Sequence, residues 1–412
     1  MDTFENPFRP GAGHTPPYLA GRSSEQDEVK KALNQKVILE NIVLTGLRGV
    51  GKTVLLETFK PIAQAKRWLW IGQDMSESAS VSEASLAERM VADIAVLTST
   101  LLVTQEKQPS FGFVSQEAVV NRAIGYDALR DLYVSTPGLV SDKLKAVMLF
   151  VWRSIPPGAI SGIVFAYDEA QNLADHAHKE QYPLSILLDV FQYVQRQGIP
   201  FLLILTGLPT LFPKLVDART YTERMFHVIF LTQLDEQASR DAITIPVKKA
   251  GCPIIFTENT VESISKMSGG YPYFIQFICR EIFDSWISQI QRDISSPTIP
   301  SREIIKKLDN DFFIGRWAKA TDRQRQLMHV ISTLDNCNLE FTVQEVVMRS
   351  KEMLNRPFSS SHVNQMLVSL SDIGLIYKNR YGKYSFAVPL LSDFIKRQIT
   401  EGLVVPNFGK VS

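Results

Sequence analysis

Residues Asn41–Lys60 read NIVLTGLRGVGKTVLLETFK, and the stretch has three textures. Ile42-Val43-Leu44-Thr45 is an apolar run of the length expected for a short buried strand. It passes into Gly46-Leu47-Arg48-Gly49-Val50-Gly51-Lys52-Thr53, which fits G-x-x-x-x-G-K-[ST]. A segment with helical spacing follows, carrying Val54, Leu55, Leu56 and Phe59. Strand, loop and helix in that order are the setting in which this pattern cradles phosphate. The glycines let backbone N–H groups approach and wrap an anion. The helix N-terminus adds a partial positive charge at the same place. Lys52 would reach the outer phosphates of a nucleotide, and the Thr53 hydroxyl would take Mg²⁺.

A second stretch, Ile163-Val164-Phe165-Ala166-Tyr167-Asp168-Glu169, is an apolar strand ending in two acids. A carboxylate at the carboxyl end of a strand beside a phosphate loop can hold the water shell of Mg²⁺, the role expected of Asp168. Glu169 is then placed to polarise a water for in-line attack on a γ-phosphate. Phe201–Gly207, FLLILTG, is a continuous apolar run of the kind found in doubly covered parallel strands. It closes on Thr206, whose hydroxyl could report on the γ-phosphate. With Trp68–Ile71 and Val228–Leu231 as further strands, the alternation of strands and helices predicts a doubly wound parallel sheet, an α/β fold with ligands at the carboxyl strand ends. Arg219 and Arg224 precede the last strand. Either decorates the surface or reaches the nucleotide of a neighbouring subunit and neutralises transition-state charge.

At 412 residues, 45% hydrophobic and 21% charged, the chain has the composition of a globular protein of two or three domains. Its formal net charge is +1. Residues 301–400 hold 15 Lys and Arg against 10 Asp and Glu, so a mild basic excess lies there, suited to an acidic polymer. Cys252, Cys279 and Cys337 lack metal spacing and suggest a reducing compartment. No secretory signal is legible in MDTFENPFRPG, and no apolar run approaches a membrane span, so a cytoplasmic location without membrane contact is expected.

Residues 1–25 are rich in Pro and Gly and should run extended, either as a leader or as a segment covering the base. Ser24 with Asp27 predicts a capped helix to about Gln35. Residues 81–104 and 117–156 read as helices around a polar loop at 105–116, with a break at Thr136-Pro137-Gly138. This makes about 81–156 a helical insertion in a nucleotide-binding core spanning 1–234. His176 and His178 could ligate a metal at i, i+2 or sit in a solvated loop, and no further ligand cluster accompanies them. Residues 235–291 form a helical lid, with Gly269 ending one helix and Pro272 opening the next. A linker at 292–300 precedes a small domain at 301–400. Its capping boxes, Thr321/Gln324 and Thr342/Glu345, and a cap at Ser359–Ser361 predict three helices. A hairpin around Asn379–Lys383 follows, giving a winged helix-turn-helix. The third helix presents His362, Asn364, Gln365, Ser369 and Ser371 without a cation. Contact with double-stranded DNA would therefore fall to Lys378, Arg380 and Lys383, and the alternative is contact with protein.

Asn6-Pro7-Phe8, Leu19-Ala20-Gly21-Arg22, GLRGVGKT, IVFAYDEAQ, LTGLP and the C-terminal domain together resemble the AAA+ ATPases of the origin-recognition and archaeal replication-initiator type and their bacterial relatives. The resemblance implies a Mg²⁺-dependent ATP hydrolase that self-associates or meets a protein partner. It places Tyr18 and Leu19 near adenine. The loop residues Gly46, Arg48, Gly49, Val50, Gly51, Lys52, Thr53 and Val54 would lie around the phosphates. Asp168 falls on magnesium, Glu169 on water, Thr206 at the first sensor and Arg224 at the arginine-finger position. The lid departs from initiators: Gly270-Tyr271-Pro272 resembles the Gly-x-Pro lid of STAND signalling ATPases, where the proline senses nucleotide. That likeness implies a slow ATP/ADP switch in signalling or defence whose winged domain binds protein.

Overall fold

In the computed structural model of the chain, residues 5–11, 13–99, 102–105, 120–252, 254–292, 294, 297–380 and 382–400 are described. The chain divides into two units. One comprises Ser23–Thr45 and Leu55–Phe230. The other gathers the segment up to Arg22, the loop Gly46–Val54 and everything from Leu231 onward.

The first unit is built on a five-stranded parallel sheet. It begins with α1 (Ser23–Ala32), β1 (Asn41–Gly46), α2 (Lys52–Ala65), β2 (Trp68–Asp74) and α3 (Glu83–Thr98). Two four-residue strands, β3 (Leu102–Gln105) and β4 (Val120–Ala123), precede α4 (Tyr126–Ser135) and α5 (Val140–Ser154). Then come β5 (Gly162–Asp168), α6 (Pro183–Arg196), β6 (Phe201–Gly207), α7 (Leu211–Ala218), α8 (Thr222–Met225) and β7 (Phe226–Leu231). The strand order is β2-β5-β6-β1-β7. Every residue of β1, β5 and β6 is buried, which is why these strands read as unbroken apolar runs. The register sets Thr45 opposite Gly207 and Asp74 opposite Asp168. The carboxyl ends of β1, β5 and β6 therefore share one edge of the sheet, where an open α/β sheet binds its ligand.

Two expectations need correction in this unit. Residues 102–104 and 120–123, read as helical, are strands of an antiparallel hairpin. Their backbone partners lie far apart along the chain, and local periodicity carries no sign of such a pairing. The expected polar loop from residue 106 and the first residues of the helix expected from 117 lie outside the described residues, as does Leu101. Ser24 is not the cap of α1: the helix starts at Ser23, and the Ser24 hydroxyl donates to Glu25 Oε2 at 2.8 Å. Ser82 does cap α3, accepting from Ser85 N at 3.1 Å. Asp93 of α3 is buried. Burial raises its pKa, and Arg89 Nε, 3.0 Å away, partly offsets the rise.

The second unit contains α9 (Glu236–Ala250), α10 (Glu258–Ser268) and α11 (Pro272–Ile290), close to the expected lid helices. Beyond them lie α12 (Ser301–Leu308), a π-helical turn over 309–314 and α13 (Gly315–Trp317), none of them anticipated. Next are α14 (Asp322–Ser332), β8 (Phe341–Thr342), α15 (Val343–Met353), α16 (Ser360–Asp372), β9 (Ile376–Arg380), β10 (Lys383–Phe386) and α17 (Leu391–Thr400). Both capping boxes form, at Thr321/Gln324 and Thr342/Glu345, and Ser359 caps α16. The hairpin gains β8 as a third strand in the order β8-β10-β9. One core, including Phe8, Phe274, Phe313, Leu327, Val363 and Phe394, runs through this unit. The N-terminal segment belongs to it: Asn6 Nδ2 donates to Asp284 Oδ1 at 2.7 Å and Phe8 stacks on Phe256.

Candidate functional site

The loop between β1 and α2 has the conformation its glycines allow. Gly49 and Gly51 have φ of 79° and 90°, in the left-handed region that other residues resist. A side chain at Gly46 would meet Leu231 O at 2.5 Å, so close packing requires this glycine. Lys52 Nζ donates to Gly46 O and Leu47 O, both at 2.9 Å, which holds the ammonium at the loop. Within the same unit Arg22 donates to Val50 O at 3.1 Å and Thr232 O at 2.7 Å. This buried guanidinium ties the loop to the residue after β7.

Residues from the turn between α10 and α11 meet the loop as well. Gly269 and Gly270 both have positive φ, and Leu234 N donates to Gly270 O at 2.9 Å. Pro272 opens α11, and the next residue, Tyr273, donates its N–H to Gly49 O at 3.1 Å. Arg48 lies beside Gly374, where an added Cβ would sit 3.7 Å from its Nη2. Arg316 stacks on Phe312, with its guanidinium carbon 4.7 Å from the ring centre. Burial and the neighbouring Arg48 charge lower the Arg316 pKa. Neither Arg316 nor Tyr273 stands out in the sequence, because both come to the loop through tertiary packing. Tyr18 and Leu19 are half-buried, with Lys249 Nζ 5.4 Å from the Tyr18 ring centre.

At the carboxyl ends of β5 and β6, Asp168 is buried, and its Oδ1 accepts from Glu169 N at 2.8 Å. Glu169 is exposed and takes φ 50°, ψ 31°, a left-handed conformation that costs a non-glycine residue of order 1 kcal/mol. Gln171 donates from Nε2 to Glu169 Oε2. The Thr206 hydroxyl is fully buried and has no hydrogen-bond partner among the described residues. The same holds for Thr45 on the adjacent strand, which its sequence context does not single out. Buried hydroxyls left unpaired are costly, and two at neighbouring strand ends mark a polar position.

Arg224 is exposed on α8. Arg219 is engaged nearby, donating to Ala218 O at 3.4 Å. Burial raises the pKa of the Tyr221 hydroxyl, and Arg219 works against that rise. His176 faces Ser80 O at 2.7 Å, its ring 6.3 Å from that of His178. Among the described residues no group of three or more His, Cys, Asp or Glu could hold a metal.

In the C-terminal hairpin Lys378 is exposed, and Lys383 lies near enough to Glu345 to help hold that carboxyl below its usual range. In that balance burial of Glu345 acts upward, and the hydrogen bonds from Thr342 and Asn336 outweigh it. Asn379 Nδ2 donates to Glu340. The side chain of Arg380 and residue 381 lie outside the described residues. On α16, Ser369 is exposed, and its Oγ accepts from Gln324 Nε2 at 2.9 Å. Two cations that the sequence pattern does not reveal stand near the start of that helix. Arg323 lies over Phe358 at 4.0 Å and donates to Arg356 O at 3.1 Å. No helix among the described residues is long and apolar enough to cross a membrane.

Residues 310–395 match a family described as a domain of unknown function (DUF8462). No curated protein matches the chain. Among solved structures it is similar to the Walker-type ATPase paby2304 of Pyrococcus abyssi, at 14% identity over 92% of this chain and 96% of that one, with a TM-score of 0.52. It is also similar to the ORC1 protein of Aeropyrum pernix, solved in complex with DNA, at 14% identity over 94% of each chain and a TM-score of 0.46. Cdc6p from Pyrobaculum aerophilum matches at 14% identity over 96% of this chain and 98% of that one, with a TM-score of 0.46. The parallel five-stranded sheet, the glycine loop that leaves β1 and the likeness to the Pyrococcus ATPase together give the chain the α/β, doubly wound fold of the P-loop AAA+ ATPases.

Proposed function

We propose that the chain binds ATP with Mg²⁺, hydrolyses it slowly and uses the nucleotide state to control docking on duplex DNA. The observation that carries the reading is the loop Gly46–Thr53, with two glycines in left-handed conformation and Lys52 held at its mouth. In this reading its N–H groups and Lys52 bind phosphate. Thr53 and Asp168 offer the hard oxygen donors that Mg²⁺ prefers, and the ion neutralises phosphate charge when bound. Glu169 takes a proton from the attacking water, Thr206 reports on the γ-phosphate and Arg224 acts on a neighbouring subunit. Tyr18 and Leu19 flank the base. Pro272, next to the residue bonded to Gly49, transmits nucleotide state to the lid. The C-terminal three helices and hairpin act as a winged helix, with Lys378, Arg380 and Lys383 on the hairpin and Arg323 and Arg356 near α16 as its cations.

A second reading, a signalling switch whose C-terminal part binds protein, is favoured by Glu345, an acid that partly offsets the hairpin charge of Lys383. The test common to both is nucleotide binding and hydrolysis in Lys52→Ala and Glu169→Gln. Lys52→Ala should lose ATP binding, and unchanged affinity would remove the phosphate-loop assignment. Glu169→Gln should keep binding and lose about 10²- to 10⁴-fold in turnover. Wild-type turnover there would remove Glu169 as base.

A further inference from the structure

Gln171 lies in the single 3₁₀ turn Ala170–Asn172 that follows Glu169. Its side-chain amide is engaged at both ends. Oε1 accepts from Leu208 N at 3.1 Å, and Nε2 donates to Glu169 Oε2. A backbone N–H can only donate, so the bond to Leu208 settles which end of the amide faces which neighbour and turns the NH₂ toward the carboxylate. The main chain of Gln171 is held too, since Lys214 Nζ donates to its carbonyl at 2.8 Å. The next residue, Asn172, donates to Met75 O at 3.0 Å. Gly207 completes the fit. A Cβ there would stand 2.6 Å from Gln171 Oε1 and 3.3 Å from its backbone nitrogen. The amide is therefore clamped against the end of β6, one residue beyond Thr206.

We propose that Gln171 is a positioning residue: it holds the Glu169 carboxylate in line through Oε2, leaving Oε1 for water, and links that carboxylate to the end of β6. The proposal rests on the reading of Glu169 as base. Glu169 needs such a support because its backbone is strained and its side chain is exposed. A long carboxylate at the surface otherwise samples several rotamers, and a base out of line by an ångström loses much of its effect. Because the clamp includes Leu208 N, any movement of Thr206 on binding phosphate reaches the base through two hydrogen bonds.

The experiment compares ATP affinity and turnover of the full chain with those of Gln171→Ala, Gln171→Glu and Glu169→Gln. Gln171→Glu is the sharper variant. It keeps an oxygen to accept from Leu208 N but replaces the donor toward Glu169 with a second carboxylate. We expect both Gln171 variants to lose about 10- to 100-fold in kcat, a part of what a general base supplies, with ATP affinity within about twofold of wild type. Gln171→Glu should not rescue the loss seen in Gln171→Ala. Wild-type or raised turnover in Gln171→Glu would overturn the proposal, because the bond to Leu208 would then be the one that matters. Turnover and affinity reduced together in Gln171→Glu would overturn it too, as that is the mark of general structural damage. If Glu169→Gln itself turns over normally, the base assignment fails, and that result is distinct from the others.

Discussion

Single residues in this chain behave according to where burial puts them. His329 on α14 is half-buried, and burial lowers its pKa below the usual histidine value of about 6.5. Its folded pKa is lower than its unfolded one, so between the two the unfolded chain binds more protons and stability rises with pH. Stability contributed by the neutral ring is complete above about 6.5 and is lost as the pH falls through the folded value. Thermal melts at about pH 7.5 and 5.5, either side of the ordinary histidine value, should show the midpoint dropping on acidification, and the drop should shrink in His329→Gln. An equal drop in that variant would assign the acid sensitivity to other groups. Asn41 shows the same dependence on place without titrating. Its side chain is buried at the start of β1, accepting from Leu203 N at 2.9 Å and Gln195 Nε2 at 2.7 Å. Nothing in the sequence distinguishes it from a polar residue ahead of a strand.

At the scale of elements, caps are the most legible features. Thr321/Gln324 and Thr342/Glu345 form reciprocal boxes as their spacing predicts. Thr342 does more than its spacing implies, because it also pairs with Lys383 of β10. Its N–H and hydroxyl both donate to Glu345 Oε2, at 2.6 and 2.8 Å, and its Oγ1 accepts from Glu345 N at 3.2 Å. Thr342→Ala should cost about 1 kcal/mol, and for a unit of this size the melting midpoint should fall by about 2–4 °C. Thr342→Ser, which keeps the oxygen, should recover most of it. If Ser is no better than Ala, the methyl group and not the cap is the source of stability. The short elements are the illegible ones. β8 is two residues long, and β3 and β4 are four each, too short for periodicity to declare itself.

For the whole molecule, a net charge of +1 gives no general affinity for nucleic acid, so any binding of DNA must come from local cations. The hairpin charge of Lys383 is partly offset by Glu345, while Arg323 and Arg356 sit close to the start of α16. The DNA reading makes a definite prediction. Turnover of ATP should rise with duplex DNA and the rise should fade with salt. In Arg356→Ala/Lys378→Ala the slope of log affinity against log salt should become shallower by about 2, roughly 0.9 for each phosphate no longer neutralised. Turnover indifferent to DNA at low salt, with ATP binding intact, would transfer the case to a protein partner.

What this sequence determined unaided is whatever depends on near neighbours in the chain. The apolar runs of β1, β5 and β6, the glycine pattern after β1, the acids that end β5 and the helix caps are all contiguous, and a strand buried on both faces or a left-handed glycine leaves its mark within a few residues. Tertiary structure alone decided what joins distant parts. It brought Arg22 and Tyr273 onto the loop Gly46–Thr53, clamped Gln171 between Glu169 and Leu208, and drew β8 to the hairpin. Each of these brings together groups that the chain does not make neighbours. Its stability comes from burial that the whole fold creates, and no local pattern of residues records it.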